Sequence, residues 1–198
     1  MTLLPEQKPV LERISRRAAV VVSALLVVGG VACGSDPFAI PWEESQDTVL
    51  LYSLARPELN LVSGFNFHTR RSTRIEAATA TGTWDFALDT QGGQLVFLPP
   101  GALGVTSKAR ITTLPGVAFD EVREAPQDTA VYTGVNAVPV QAGTIYVFRT
   151  AQSQGAFGTA CVYYAKLEPV NIDVAGGTLT FMFDASPVCN DLRLTPPG

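Results

Sequence analysis

The sequence is almost without histidine, since His68 is the only one in the chain. A metal or haem site held by two histidines is therefore excluded, and a catalytic dyad that needs histidine would have to use this residue. No G-x-S-x-G nucleophile elbow occurs. Phosphate-cradling glycine loops, zincin helices and C-x-x-C motifs are missing too. No enzyme class is supported by motif, and neither a cofactor nor a metal is expected.

Basic clusters are scarce beyond the first 32 residues. Residues 1–32 contain four basic and two acidic side chains, and the rest of the chain contains 10 basic and 16 acidic ones, a net charge of −6. Nucleic-acid-binding domains carry a basic surface. We therefore expect no nucleic-acid partner.

A long hydrophobic run is also missing near the N-terminus. The uncharged stretch Ala18–Ala32 has 15 residues, whereas a membrane-spanning helix needs about 20. It follows Arg16 and Arg17 and ends in small residues. A positive segment, a short apolar core and small residues are typical of a secretory signal peptide, which we predict over 1–32, with a helical core.

The end of this segment, Gly30-Val31-Ala32-Cys33, resembles the lipobox of bacterial lipoproteins. Gly30 departs from the pattern, because the family usually has Leu there. The resemblance implies that Cys33 is acylated, with diacylglycerol and palmitate-type chains, and becomes the first residue of the mature protein. The lipid would then hold the protein on a membrane. In some bacteria, an Asp after the lipidated Cys retains lipoproteins in the inner membrane. This chain has Gly34 there, so the outer membrane is the expected location.

Other processing routes remain open at this point. Gly30-Val31-Ala32 also fits an ordinary cleavage site, which would leave Cys33 as an unmodified thiol. Residues 25–33 could instead remain as part of an uncleaved anchor. Ser15-Arg16-Arg17 resembles a twin-arginine export signal but lacks the bulky residues that usually follow.

Cysteine is rare, with only Cys33, Cys161 and Cys189 present. An odd thiol is awkward in an exported protein. If Cys33 carries lipid, an even pair remains, and an oxidising compartment favours a Cys161–Cys189 disulfide. Two buried free thiols are the alternative.

The predicted mature chain divides into a tether and a β-domain. Residues 33–46 are rich in Pro, Gly and acids without a hydrophobic period, which predicts a flexible tether. Its Trp42 would either pack back on the domain or rest at the lipid interface.

From residue 47 to 198 the sequence alternates short β-branched or aromatic runs with turn residues, which predicts strands. The predicted strands are Thr48–Leu54, Leu61–Thr69, Arg74–Ala78, Thr83–Asp89, Gln94–Leu98, Lys108–Thr113, Ala130–Thr133, Thr144–Thr150, Cys161–Leu167 and Gly177–Asp184.

Local patterns refine this prediction. Asp89–Gly93 and Val174–Gly177 have the glycines of hairpin turns. Phe119–Thr129 predicts one helical turn or a loop, ended by Pro126.

Aromatic residues two apart share one face of a strand and predict a common core. These pairs are Phe65 and Phe67, Trp84 and Phe86, Tyr146 and Phe148, and Phe181 and Phe183. Strands without intervening helices predict an all-β fold, a single antiparallel β-sandwich or partly open barrel.

Two groups of side chains are candidates for function. His68 is a candidate ligand-binding residue, as a haem or metal ligand, because neutral imidazole is the commonest metal-ligating side chain. Arg70, Arg71 and Arg74 are candidate ligand-binding residues, because guanidinium groups pair with phosphate or carboxylate. A solvated strand end is the alternative reading of His68, and a charged sheet edge that of the arginines. The acids of 120–128 are candidates for glycoside hydrolysis, which needs two carboxylates flanking a cleft. Solvated loop acids are the alternative there.

The order of several motifs resembles that of the HmuY-like lipoproteins, β-rich surface proteins of Gram-negative bacteria. The residues that carry the likeness are Trp84–Leu88, Phe119–Pro126, Tyr146–Thr150, Tyr164–Leu167 and Gly177–Phe183. The resemblance implies an all-β surface domain and, for the named member, haem capture through two histidines. A single histidine does not support that ligand set, so the resemblance carries over the architecture only.

The sequence as a whole predicts an exported, membrane-anchored protein that binds a small ligand or an envelope protein without catalysis. A hydrolase of envelope polysaccharide that uses the loop carboxylates is the alternative.

Overall fold

The computed structural model describes residues 40–197. Within this range twelve strands are linked by turns and by short 3₁₀ turns at Pro100–Leu103, Phe119–Glu121, Thr129–Val131 and Ala156–Gly158. The strands are β1 (Asp47–Tyr52), β2 (Gly64–Asn66), β3 (Arg71–Thr73), β4 (Phe86–Gln91), β5 (Gln94–Leu98), β6 (Arg110–Pro115), β7 (Val138–Pro139), β8 (Thr144–Arg149), β9 (Ser153–Gln154), β10 (Ala160–Cys161), β11 (Tyr164–Asp173) and β12 (Thr178–Ala185). The predicted all-β class is confirmed.

Ten of these strands form two five-stranded antiparallel sheets. Sheet A has the order β1-β12-β11-β8-β6, and sheet B has the order β3-β2-β4-β5-β7. Strands β9 and β10 pair as a separate ribbon. The two sheets pack face to face as a β-sandwich, the first of the two architectures that the sequence predicts. The first and last strands, β1 and β12, are neighbours, so the pairing is strongly non-local.

Glycines close the two predicted hairpins. Gly92 and Gly93 join β4 to β5 with φ of 58° and 79°. Gly177 lies before β12 with φ of 60°. Glycine tolerates this left-handed conformation because it has no Cβ. Both turn predictions are confirmed.

The main core lies between the sheets and is rich in phenylalanine. Its rings meet edge-on or tilted, as in Phe65 against Phe183 at 4.9 Å between centroids and Phe86 against Phe148 at 4.8 Å. Three of the predicted aromatic pairs lie wholly in this core. The buried members of the core are Leu51, Phe65, Phe67, Phe86, Leu88, Leu95, Phe97, Ile111, Val138, Val140, Tyr146, Phe148, Ala165, Leu167, Leu179, Phe181 and Phe183.

The outer faces of both sheets are covered as well. The turn at Phe119–Glu121 and the segment around Leu194 lie with Ile145 and Val147 in a cluster on the outer face of sheet A. Trp84 belongs to a third cluster, with Ala87, Val96 and Leu98 on the outer face of sheet B. The expectation that Trp84 and Phe86 share one core is wrong. Trp84 precedes β4, so the alternation of a strand does not apply to it.

Two predicted strands are absent from the described residues. Arg74–Ala78 is an irregular loop, and the neighbouring strand is β3 at Arg71–Thr73. Thr129–Val131 is a 3₁₀ turn, and only Thr133 makes an isolated bridge, to Ile111. Asp128 caps the turn by accepting a hydrogen bond from the Ala130 backbone N–H. Such local bonds compete with strand pairing. The predicted helical turn at Phe119 is confirmed.

Part of the predicted tether is described, and it contacts the domain. Arg70 donates to the carbonyl of Ser45, Gln46 donates to Asp120 at 3.5 Å, and Trp42 is half-buried. Residues 33–39 of the predicted tether and the predicted signal peptide lie outside the described residues. Among the described residues no helix is both long enough and apolar enough to cross a bilayer.

A buried carboxylate joins the two sheets. Asp85 is fully buried. Its two oxygens accept hydrogen bonds from the backbone N–H of Phe67, next to β2, at 2.7 Å and from that of Ala151, beyond β8, at 2.6 Å. Burial raises the pKa of this carboxyl to about 6, although both hydrogen bonds lower it. Asp85 therefore ties sheet B to sheet A at one end of the sandwich.

Candidate functional site

His68, the first predicted ligand-binding residue, lies just beyond β2. Its side chain is exposed, and its ring stacks on Tyr163 with 4.0 Å between centroids and 13° between planes. Tyr163 is itself buried. His68 therefore lies over the entrance to β11, at the end of the sandwich where Asp85 joins the sheets.

Arg70 is used within the domain. Its guanidinium lies 4.6 Å from the centre of the Phe183 ring and 3.9 Å from Oδ1 of Asp184. It also donates to the carbonyl of Ser45. Burial raises the pKa of Asp184, and Arg70 opposes that shift. These contacts hold residue 45 and the end of β12 together, so most of the Arg70 side chain is directed at the protein.

Arg71 and Arg74 lie apart from those contacts. Arg71 is exposed on β3 opposite Asn66, and Arg74 is exposed beyond the end of that strand. Two clefts in residues 40–197 are described below. His68, Arg70, Arg71 and Arg74 line neither of them. A ligand-binding role for these four residues stays a prediction.

Cys161 and Cys189 form the predicted disulfide, with their Cα atoms 5.2 Å apart. Asn190 reinforces the link. Its side chain accepts from the Val162 N–H at 3.0 Å and donates to the Ala160 carbonyl at 3.0 Å. The bond therefore fixes the C-terminal segment to the end of β10, just before β11. Cys33, the predicted lipidation site, lies outside the described residues.

Two of the four loop acids accept local hydrogen bonds. Glu121 accepts from the Ala118 N–H at 3.2 Å, and Asp128 accepts from the Ala130 N–H at 2.9 Å. All four acids of 120–128 are exposed. Glu121 and Asp128 therefore cap the two 3₁₀ turns.

One cleft, of about 400 Å³, lies beside the β11–β12 hairpin. Its only basic residue, Arg56, is 2.7 Å from Glu58 and also donates to the Gly176 carbonyl at 2.6 Å. The Glu58 carboxylate raises the pKa of Arg56 through this hydrogen bond. The charge of this cleft is therefore already neutralised inside the protein.

A second cleft, of about 380 Å³, lies on the outer face of sheet A, and we call it the basic cleft. Three side chains from neighbouring strands form its floor. Arg110 of β6 lies opposite Arg149 of β8, and Arg149 lies opposite Tyr164 of β11. Side chains at such partnered positions share a face, with Cβ atoms about 5 Å apart. The alternating residues Ile111 and Phe148 lie in the main core, so this row points outward.

The wall of the basic cleft is the segment that covers sheet A. Tyr132 donates from its hydroxyl to the Pro126 carbonyl at 3.1 Å, which closes the segment into a compact loop. Burial raises the pKa of this tyrosine. Gln127 and Thr129 also line the wall, and the exposed Lys108 lines the cleft as well. The cleft therefore combines three cations with two tyrosine rings.

The cations of the basic cleft have no acidic partner within residues 40–197. The ion pairs found there join Arg56 to Glu58, Arg70 to Asp184 and Arg193 to Asp191. Arg110 donates from one terminal nitrogen to the carbonyls of Ser107 and Ala109, at 3.1 and 2.7 Å. Arg149 likewise donates to the Lys108 carbonyl at 3.2 Å. A guanidinium has five N–H donors, so each arginine keeps donors for a ligand.

Sequence reasoning missed the basic cleft. Lys108 and Arg110 lie two apart at the start of a predicted strand, which was a usable signal for a shared face. Arg149 lies near the end of another predicted strand. The pairing of those strands across almost forty residues brings the arginines together, and no local pattern encodes it.

No protein-family model, curated protein or solved structure matches this chain. The candidate site is therefore argued from its own geometry.

Proposed function

We propose that the protein is an exported lipoprotein, held in the outer membrane by a lipid on Cys33, whose β-sandwich is a non-enzymatic binding module. Its ligand, a small molecule or part of an envelope partner, binds in the basic cleft. The observation that carries the binding role is that the cations of this cleft lack an acidic partner within residues 40–197.

The membrane part of the proposal rests on the N-terminal sequence. The short apolar run, the small residues before Cys33 and the pairing of the other two cysteines all favour a lipid at that position. A β-sandwich also agrees with the architecture that the HmuY-like resemblance implies.

The Cys33→Ala variant is expected to move from the membrane fraction to the soluble fraction. Without the thiol there is no acceptor for the lipid. Fractionation of cells followed by detection of the protein measures this. The double variant Cys161→Ser with Cys189→Ser is the control, because it removes cysteines without touching the lipobox and leaves no unpaired thiol. A Cys33→Ala variant that stays in the membrane fraction would disprove the anchor.

A ligand panel tests the binding role. Neutral sugars, short peptides, carboxylates and phosphorylated compounds are added separately to the detergent-solubilised full-length protein, and Tm is recorded. At least one class should raise Tm, because a ligand that binds only the folded state stabilises it. That rise should be lost in a Tyr164→Ala variant that is otherwise folded. A panel without any effect would reject the basic cleft as the binding site.

A further inference from the structure

We propose that the basic cleft binds a phosphomonoester, a dianionic phosphate attached to a body of about sugar size. This inference rests on the proposed function, since it names the ligand class of the same site. It is carried by three features of the cleft: the charge it concentrates, the row formed by its arginines, and the space kept free for one of them.

The positive charge of the cleft favours a ligand with more than one negative charge. Arg110 and Arg149 are direct cross-strand partners, and like charges placed opposite each other destabilise a sheet. Lys108 adds a third positive charge. A single carboxylate would leave two of the three charges uncompensated, whereas a phosphomonoester carries about −1.5 to −2 at neutral pH. A phosphomonoester therefore matches the cleft better than a monoanion.

The geometry of the two arginines favours a phosphate with free oxygens. Both guanidinium groups donate hydrogen bonds to backbone carbonyls of the protein. These bonds limit the rotation of the two groups, and the remaining N–H groups are left for a ligand. Planar guanidinium forks match phosphate oxygens in pairs, with two parallel hydrogen bonds. A phosphomonoester offers three terminal oxygens, enough for both arginines and for Lys108.

Gly134 keeps space for one of these guanidinium groups. It is buried, and a Cβ at this position would collide with the side-chain end of Arg110. Its φ lies outside the left-handed region, so conformation does not explain the glycine. Glycine here permits the position that Arg110 takes on the cleft floor.

The remaining volume suits a compact polar or ring-shaped body. The cleft encloses about 380 Å³, within the range of small-molecule sites. Tyr132 in the wall and Tyr164 on the floor supply aromatic surface. Neither is fully buried, so both rings remain available to a ligand.

Isothermal titration calorimetry with the detergent-solubilised full-length protein tests this. The probes are glucose 6-phosphate, glucose, gluconate and dihexanoyl phosphatidic acid. Glucose 6-phosphate is expected to bind at least tenfold more tightly than gluconate, and glucose should bind more weakly still. Binding of only the phosphatidic acid would identify a lipid headgroup as the source of the phosphomonoester. Binding of glucose 6-phosphate would identify a soluble or glycan-borne one.

Variants distinguish specific binding in the cleft from a general attraction of anions to a basic surface. Arg110→Gln and Arg149→Gln should each weaken phosphomonoester binding by about tenfold to hundredfold, the range expected for a charge-assisted hydrogen bond. Arg123→Gln is the matched control, because it removes the same charge at an exposed position that does not line the cleft and should leave affinity unchanged. Gly134→Ala keeps every charge but displaces Arg110, so it should also weaken binding about tenfold. Circular dichroism and Tm confirm that each variant is folded.

The outcomes distinguish this inference from the proposed function. Equal losses for Arg123→Gln and Arg149→Gln, or equal affinity for glucose and glucose 6-phosphate, would overturn the phosphomonoester assignment. If a neutral ligand binds and only Tyr164→Ala abolishes it, the binding role stands and this inference fails. If no probe and no panel compound binds, both fail.

Discussion

Replacing Asp85 with Ala is expected to lower the free energy of unfolding by about 4 kcal/mol at neutral pH. The change removes the acceptor for two buried backbone N–H groups, those of Phe67 and Ala151. Each orphaned buried donor costs about 1–3 kcal/mol. Because a domain of this size is stable by only about 5–15 kcal/mol, the loss should be large in urea denaturation.

Asp85→Asn is the matched control for this experiment. Its side chain has nearly the same shape but only one acceptor oxygen, and its amide N–H₂ would face the second backbone donor. We expect a loss of about half that of Asp85→Ala. A variant Asp85→Ala as stable as the wild type would show that the link between the sheets contributes nothing.

The same carboxyl makes stability depend on pH in a defined direction. The folded pKa is about 6, and the unfolded value is about 3.9. Between these two values the folded state binds more protons than the unfolded state, so this group's contribution to stability falls as pH rises. Over that window the wild type should lose about 3 kcal/mol relative to Asp85→Asn, which cannot ionise. Urea midpoints of both proteins across pH 4 to 7 measure the difference. Parallel profiles would contradict the shift.

Removing the Cys161–Cys189 bond is expected to cost about 3 kcal/mol. The two cysteines are 28 residues apart, and a cross-link over a loop of this length removes about that much free energy from the unfolded chain in the chain-entropy model. Asn190 still clamps the neighbouring backbone, so the double variant Cys161→Ser with Cys189→Ser should fold and unfold at lower urea.

Reduction supplies the control for the disulfide experiment. A reducing agent should lower the urea midpoint of the wild type towards that of the double variant, and it should not move the double variant. If both proteins unfold at the same midpoint under oxidising conditions, the bond does not stabilise the fold.

Several properties of this protein were readable from the sequence because they depend on neighbours in the chain. The hairpin turns at Gly92-Gly93 and Gly177 follow from the left-handed backbone that glycine tolerates. The inward faces of β2, β8 and β12 follow from aromatic residues at a spacing of two. The disulfide followed from cysteine parity. Cys33 belongs to the same class of inference, and its lipidation remains a prediction.

Tertiary structure decided the features that depend on distant pairing. The acidic Asp85 stands in an apolar run, and only the packing of the two sheets supplies its backbone donors from residues 67 and 151. Arg70 was grouped with Arg71 and Arg74 by sequence, but its backbone is left-handed, with φ of 54°, and its guanidinium contacts Phe183 and Asp184. The basic cleft exists because β6 and β8 pair in a register that aligns Arg110 with Arg149. Local patterns specify which face a side chain occupies, and only the pairing of the strands specifies its neighbours.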